Sequence, residues 1–157
     1  MTPAINMARK AGVEHRIHEY THDPDCASYG EEAAEKLGVS QQQVFKTLVV
    51  SLDGKALAVG IVPVAGKLNL KQIARATGAK KAAMADPAEV ERATGYVLGG
   101  VSPLGQKKRL KTVIDSSAQA YARIHVSAGR RGLEIELAPG DLARLTGAAF
   151  APIADQA

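Results

Sequence analysis

The sequence predicts an α+β fold built on a mixed or mostly antiparallel sheet. Three observations predict it. Short runs of strand-forming residues are joined by hairpin signals, of which Asp53-Gly54 is the clearest. The helical stretches are brief, and each opens on a capping residue or a proline. Strands and helices are interspersed without a regular βαβ alternation, which argues against a doubly wound parallel sheet. The chain has 157 residues, 46% of them hydrophobic, which suffices for one domain with a real core spanning 1–157.

Thr2-Pro3 reads as a helix cap followed by proline at the first helical position, with Gly12 ending that helix. "RIHEY" (16–20) predicts a strand, and "THDPDCAS" (21–28) is turn chemistry. Ser28 and Glu31 have capping-box spacing at the start of a helix that runs to Gly38. Val44–Leu52 is a strand, and Ala56–Val62 returns beside it. Asn69 caps "LKQIARATG", Lys81–Ala85 predicts a short strand, and Asp86-Pro87 opens "PAEVERATG". Residues 96–115 are glycine-rich, then basic, then a strand at Thr112–Asp115. "ARIHVSAGRRGLEIELA" (122–138) reads as two strands around a glycine-arginine turn, and Pro139-Gly140-Asp141 starts a last helix.

Composition narrows the function classes. Aromatic residues are 4% of the chain and tryptophan is absent, which disfavours a single-stranded nucleic-acid binder working by base stacking. The net charge of +4 suits an anionic partner. Cys26 is the single cysteine, so neither an internal disulfide nor a thiolate zinc cluster can form. "MTPAINMARKAG" lacks the apolar core of a signal peptide, and no run approaches a membrane span, so a soluble cytoplasmic protein is expected.

Lys46 is the residue that most needs a reason. It lies inside an apolar strand and shares a face with Val44, Leu48 and Val50. A strand lysine ordinarily runs its ammonium out to water. The other reading is a lysine at the mouth of a pocket, holding an anion or polarising a carbonyl. Gly99-Gly100 can let a backbone approach a ligand and aim N–H groups at an oxyanion, or can simply form a tight bend. Ser127, Ala128 and Gly129 are small residues that could floor a pocket or form a plain hairpin. Lys107, Lys108, Arg109 and Lys111 form the densest basic cluster, with Lys80-Lys81, Arg130-Arg131 and Lys71/Arg75 adding to it; each is solvated surface or part of a phosphate track. His15, His18, His22 and His125 have no metal-ligand spacing, so no metal is expected. Cys26 has acidic neighbours, which do not activate a thiol. Glu134 and Glu136 share a strand face, with a solvated face the plain reading. These residues alone do not name a function.

Four segments taken in order do. "VFKTLVV", "PVAGKLNLKQIARATGAKKAAMAD", "ATGYVLGGVSPLGQKKRL" and "VSAGRRGLEIELAPGDLARL" closely resemble the YbaK-type aminoacyl-tRNA deacylases, relatives of the editing insertion domain of bacterial prolyl-tRNA synthetase. The resemblance runs from "TPAI" to about Phe150. It implies a single compact domain with a curved mixed sheet, a partial barrel, flanked by short helices. It implies hydrolysis of cysteine mischarged onto proline tRNA, without a cofactor. Cysteine and proline are close in volume, so a small pocket separates them weakly and a second checking site is the remedy.

By the same resemblance Lys46 meets the 3′ end of the tRNA, and Gly99 and Gly100 offer N–H groups to the aminoacyl ester. Tyr20, Tyr29, Thr47, Ser127 and Glu134 match positions near the pocket, where relatives often carry aspartate in place of Glu134; Ala128 and Gly129 adjoin them. Lys107, Lys108, Arg109 and Arg130 are the candidate tRNA contacts. No Ser, Cys or Thr has an evident base beside it, so the attacking group is a held water or the substrate's own thiol. Prolyl-tRNA synthetase is the partner the resemblance suggests for a monomer or weak oligomer. A deacylase for another small amino acid such as alanine, or a non-catalytic tRNA- or synthetase-binding module, are the alternatives.

Overall fold

The computed structural model describes residues 1–25 and 28–156, so Cys26 lies outside the described residues. The chain order is α1 (Pro3–Ala11), β1 (His15–Glu19), α2 (Tyr29–Leu37), β2 (Phe45–Leu52), β3 (Ala56–Pro63), β4 (Gly66–Leu68), α3 (Leu70–Thr77), β5 (Ala82–Met84), α4 (Pro87–Thr94), β6 (Lys111–Asp115), β7 (Ile124–Arg130), β8 (Leu133–Leu137), α5 (Pro139–Thr146), β9 (Ala149–Ala151) and β10 (Ala154–Gln156). A 3-10 turn at Ser116–Ala120 follows β6.

Local chemistry explains most of these boundaries. The Thr2 hydroxyl accepts the Ile5 N–H, and the Asn69 side chain accepts the Gln72 N–H at 3.0 Å. Every α-helix closes on a glycine in the left-handed region. The expected capping box at Ser28 and Glu31 does not form as such. Ser28 stands at the N-cap, but its side chain makes no capping hydrogen bond and the residue contributes to a cavity wall instead. Asp86 also occupies its N-cap position without capping through its side chain.

The main sheet has the order β5-β2-β3-β6-β9. Strands β2 and β3 form the expected hairpin, from Phe45 opposite Pro63 to Leu52 opposite Ala56, whereas β3–β6 and β6–β9 are parallel. A second sheet, β1-β8-β7, is antiparallel throughout, and β4 pairs with β10 in a small ribbon. The fold is α+β with mixed and antiparallel sheets, and among the described residues no closed barrel forms. Strands β4, β9 and β10 have three residues each, too few for a side-chain period to reveal them in the sequence.

The alternation of β2 divides the apolar interior. Phe45 and Val49 enter the principal core, where they join Val59, Ile61 and Ile114 with Ile124, Val126 and Ile135 of the second sheet. Leu48 and Val50 point the other way, into a core under α3 with Ile73 and Ile153. Burying side chains of this size stabilises the fold by about 1.5–3 kcal/mol each.

Backbone pairing joins the two sheets just before β2. Val44 and His125 form an isolated parallel bridge, and the His125 N–H donates to the Gln43 carbonyl at 2.9 Å. Farther along the same edge β5 takes over, pairing only with Val50, Ser51 and Leu52, and Ala85 N–H reaches the Val49 carbonyl at 3.0 Å. Between these two attachments the edge of β2 has no strand beside it among the described residues.

Buried Asp115 fastens the C-terminal ribbon. One carboxylate oxygen accepts the Ile153 and Ala154 N–H groups at 2.9 and 3.0 Å, and the other accepts from the Ser117 N–H and hydroxyl. Asp115→Ala would leave buried donors unpaired, at about 1–3 kcal/mol each. Urea denaturation is expected to show a loss of about 3 kcal/mol, with early hydrogen exchange at Ile153 and Ala154; an unchanged midpoint would show that the carboxylate is not the fastening.

Candidate active site

The unpaired edge of β2 opens into a cavity of about 420 Å³. Val44 to Leu48 and Val64 line it with Ser127 of β7 and Glu134 of β8. Leu98, Gly99 and Val101, and Ser28 to Glu31 at the start of α2, also line it. Tyr20 completes the lining. Leu98 and Tyr29 are 59% and 41% exposed and make the rim; Glu134, 6% exposed, lies at the buried end.

Backbone direction alternates along a strand, and the Val49 carbonyl already points to the β5 side. The N–H and carbonyl of Thr47 therefore point the same way, into the stretch of edge that no strand covers. The Thr47 hydroxyl is also buried without a hydrogen-bond partner. A buried polar atom left unpaired costs about 1–3 kcal/mol. The wall thus offers polar groups to whatever enters the cavity.

Two ionisable side chains define its electrostatics. Burial holds the Lys46 ammonium below the usual lysine range; Glu31 partly offsets this and Lys67 adds to it. No carboxylate among the described residues comes within ion-pair distance of Lys46. Burial pushes the Glu134 carboxyl up to about 8, so at neutral pH it is mostly the uncharged acid. The Tyr20 phenol is pushed up to about 12, by burial first and then by the carboxyls of Glu134 and Glu32. Glu134 and Glu136 do share a face, but Glu134 is not solvated.

The glycine loop is a turn with one specific requirement. The Gly100 N–H donates to the Val97 carbonyl at 3.0 Å, and Gly99 sits at φ 89°, the left-handed corner that glycine accepts without strain. The expectation that Gly100 presents its N–H to a ligand is therefore corrected, because that group is spent inside the turn. Gly100 is buried, and a Cβ there would lie 2.7 Å from the Arg130 Cα. Gly99 lines the cavity, and a Cβ there would meet the Tyr29 ring at 3.0 Å.

Lys46, Thr47, Tyr20, Tyr29, Gly99, Ser127 and Glu134 thus share one cavity. Ala128 and Gly129 do not floor it. Ala128 is fully buried in the principal core, and Gly129 packs on Tyr96 and Thr2, because β7 turns these residues to α1. Lys107, Lys108 and Arg109 lie elsewhere, along a separate groove of about 220 Å³ that also includes Met7, Pro103 and Leu145. Their segment is held by Lys107 and Lys108 N–H bonds to the Thr94 and Ala93 carbonyls. Arg130 is exposed at the end of β7, 3.9 Å from Glu19 and backed by Gly100.

The sequence reading missed the clamp behind Tyr29. Buried Glu32 accepts from Arg131 at 3.2 Å and from the Asp23 N–H at 2.6 Å. Arg131 also donates to the Asp23 carbonyl, and its guanidinium lies 4.2 Å from the centre of the Tyr29 ring. The signal was a glutamate next to Ala33 and Ala34 on the inner face of α2.

Comparison with known proteins identifies this arrangement. The model of the aminoacyl-tRNA editing domain matches residues 23–145. The chain belongs to the aminoacyl-tRNA editing domain family. A relative from Enterococcus faecalis, provisionally named a Cys-tRNA(Pro)/Cys-tRNA(Cys) deacylase, EbsC, is 40% identical over 97% of this chain and 92% of its own length. The multifunctional Ser/Thr-tRNA deacylase ProXp-y of Escherichia coli is 26% identical over 90% of this chain and 84% of its own. A crystal structure described as that of a provisionally assigned trans-editing enzyme for prolyl tRNA synthetase superposes with a TM-score of 0.85, at 25% identity over 98% and 95% of the two chains.

In this editing domain the two glycines Gly99 and Gly140 should respond oppositely to alanine. Gly99→Ala forces a side chain into the left-handed region against Tyr29, at about 1–2 kcal/mol. Gly140, inside α5, has nothing within 4 Å of a new Cβ, and Gly140→Ala should be neutral or stabilising by up to about 1 kcal/mol. Urea denaturation of both variants checks this; equal effects would show that the turn does not constrain Gly99.

Proposed function

We propose that the chain is a trans-acting, cytoplasmic aminoacyl-tRNA deacylase, one domain over residues 1–157, that hydrolyses cysteine from proline tRNA. The family and the names of its deacylase relatives support the reaction class. The observation that carries the reading is the Lys46 ammonium, without an ion-pair partner among the described residues, in the same cavity as the buried acid Glu134. An aminoacylated tRNA end has the matching polarity. Its phosphates and ester belong at the cation, and its α-amino group belongs at the carboxyl, which regains its charge beside an ammonium. Thr47 supplies an N–H, a carbonyl and a hydroxyl between the two.

The reaction needs no nucleophile from the protein. Among the described residues lining the cavity none is histidine or cysteine, and the Ser127 hydroxyl accepts the Gly129 N–H. In the thiol route the substrate sulfur bonds to its own ester carbon and the bond from that carbon to the tRNA 3′ oxygen breaks. The thiol proton passes to that oxygen, and water then opens the thiolactone to free cysteine. The cavity contributes orientation and a charged, partly dry surrounding for the developing oxyanion. In the water route a held water takes the place of the sulfur.

The basic groove of Lys107, Lys108 and Arg109 lies away from the cavity and suits the acceptor-stem backbone. A chain of this size grips little more than the acceptor end, so prolyl-tRNA synthetase is the proposed partner for choosing the tRNA.

Release of labelled cysteine from Cys-tRNA(Pro) tests the reading. Lys46→Ala is expected to lower kcat/KM by about two decades, about 2.7 kcal/mol of barrier. Because burial depresses the Lys46 pKa, the wild-type kcat/KM, corrected for spontaneous hydrolysis, should fall at a lower alkaline pH than an ordinary lysine would give. Lys46→Arg should move that fall away, since a guanidinium keeps its proton. Ser-tRNA should be cleaved poorly if the thiol attacks, and equally well if water does. No release from any Cys-, Ser- or Ala-tRNA would sink the deacylase reading.

Alanine at Lys107, Lys108 and Arg109 together should weaken tRNA binding and reduce the slope of log K against log salt by roughly 2–3, at about 0.7–0.9 per lost phosphate contact. An unchanged slope would remove this groove from the interface.

A further inference from the structure

The spacing of the histidines in the sequence suggests no metal site, yet the three-stranded sheet brings two of them to one carboxylate. Strand β8 lies between β1 and β7. On it Glu136 stands opposite His125 of β7 and Arg16 of β1, while His18 stands one step along β1, opposite Glu134. These residues share the face that Ile17, Ile135 and Val126 turn away from, since those three pack in the principal core. His18 Nε2 lies 2.8 Å from a Glu136 carboxylate oxygen, and the His18 and His125 rings are 5.3 Å apart, tilted by 42°. One donor atom from each of His18, His125 and Glu136 falls within 4.8 Å of the other two.

The decisive atom is His125 Nδ1. His125 is 6% exposed, and this nitrogen is buried without a hydrogen-bond partner among the described residues. The His18–Glu136 hydrogen bond satisfies its own two members and leaves that nitrogen unmatched. We propose that His18, His125 and Glu136 form a binding site for a divalent transition-metal ion, zinc foremost, with the open solvent side left to water.

Two imidazoles and one carboxylate are a donor set that suits zinc, and three protein ligands with an open position are a known arrangement for it. Magnesium and calcium favour all-oxygen surroundings. The three ligands stand on neighbouring strands of one sheet, β8 pairing with both β1 and β7, and their donor atoms already lie within 4.8 Å of one another, so metal–ligand distances of about 2.0–2.2 Å ask only for a closer approach. The His18 and Glu136 side chains are 31% and 18% exposed, which gives the ion a way in. Burial holds the His125 ring below the usual histidine range, toward the neutral form that ligates. The site adjoins the buried end of the cavity, because Glu134 and Ser127 each lie two residues from a proposed ligand on the same face.

The test uses the full, tag-free chain stripped with a chelator. Calorimetric titration with zinc should give one ion per chain. Cobalt in its place should develop the visible absorption of a low-coordinate nitrogen-oxygen site, and excess magnesium should displace neither. Imidazole NMR of the wild type should show zinc moving His18 and His125 while His15 and His22 stay put. That readout needs no variant, which matters because His125→Ala alters a buried position. His18→Ala and Glu136→Gln should each weaken zinc roughly tenfold or more, with unchanged metal-free circular dichroism. The proposal is overturned by no zinc uptake, by uptake that both substitutions leave intact, or by shifts confined to His15 and His22.

Discussion

Strand β2 has a partner along the whole of one edge and along only the two ends of the other. β7 touches it at Val44, β5 takes it up from Val49 onward, and the stretch between belongs to neither. That gap is the constraint on which the site depends. A sheet edge ordinarily must be covered or paired, because its backbone groups keep their need for hydrogen bonds. Here the second sheet is tied on at Val44 and then diverges, so the uncovered groups face a cavity instead of bulk water. The α2 start and the 97–100 turn close over it without pairing to it. Site and fold are one consequence of where two sheets stop running together.

The same gap explains how a lysine survives inside an apolar strand. Lys46 lies on the side of β2 that leads to Leu48 and Val50, which are packed under α3. One position earlier in the cavity wall, its ammonium is half-buried and has no ion-pair partner among the described residues. Keeping a charge in such a place costs free energy that an aliphatic residue would avoid. Glu134 in the same cavity bears a matching cost by staying protonated. Two ionisable groups held away from their ordinary states in one cavity mark a functional site more strongly than either does alone. The buried Glu32–Arg131 pair differs, since both of its charges are satisfied and its effect is to hold Tyr29 and Asp23 in place.

What the sequence disclosed follows the range of the interactions. Thr2, Asn69 and the Asp53-Gly54 turn act within a few residues of themselves, and their elements form where the sequence predicts. Lys46 was visible as an anomaly because its five neighbours set the expectation it breaks. The Gly99-Gly100 pair was visible, but which N–H remained free was not, since that depends on Val97 closing the turn. Ala128 and Gly129 share the small-residue character of Ser127, yet strand alternation sends Ala128 into the core, and the irregular register between Ser127 and Arg130 packs Gly129 on α1. The short strands β4, β9 and β10 exist through distant pairing, as with Ala154 opposite Leu68. His18 and His125 stand more than a hundred positions apart, and no local pattern joins them; only the order β1-β8-β7 does.

Shape alone is a poor basis for telling cysteine from its neighbours in size. A missing or extra methylene is worth only about 1–3 kcal/mol in an apolar pocket. This cavity is not especially apolar, since Lys46, Thr47, Ser127, Tyr20 and Glu134 all line it. Their hydrogen-bonding capacity would receive a hydroxyl as readily as a thiol, so binding gives cysteine no clear advantage over serine. Under the proposed thiol route reactivity would, because a thiol is the better nucleophile near neutral pH. Selecting by reaction instead of by fit also removes the need for a protein nucleophile, which would attack every bound ester alike. A cavity that orients an ester, stabilises its oxyanion and contributes no attacking atom is then a filter in its own right. Under the proposed thiol route, correctly charged proline, which has no side-chain nucleophile, would pass through it intact. A relative named a Ser/Thr-tRNA deacylase is 26% identical to this chain, and in the water route a water held beside the buried Thr47 hydroxyl would compete with the substrate's own side chain.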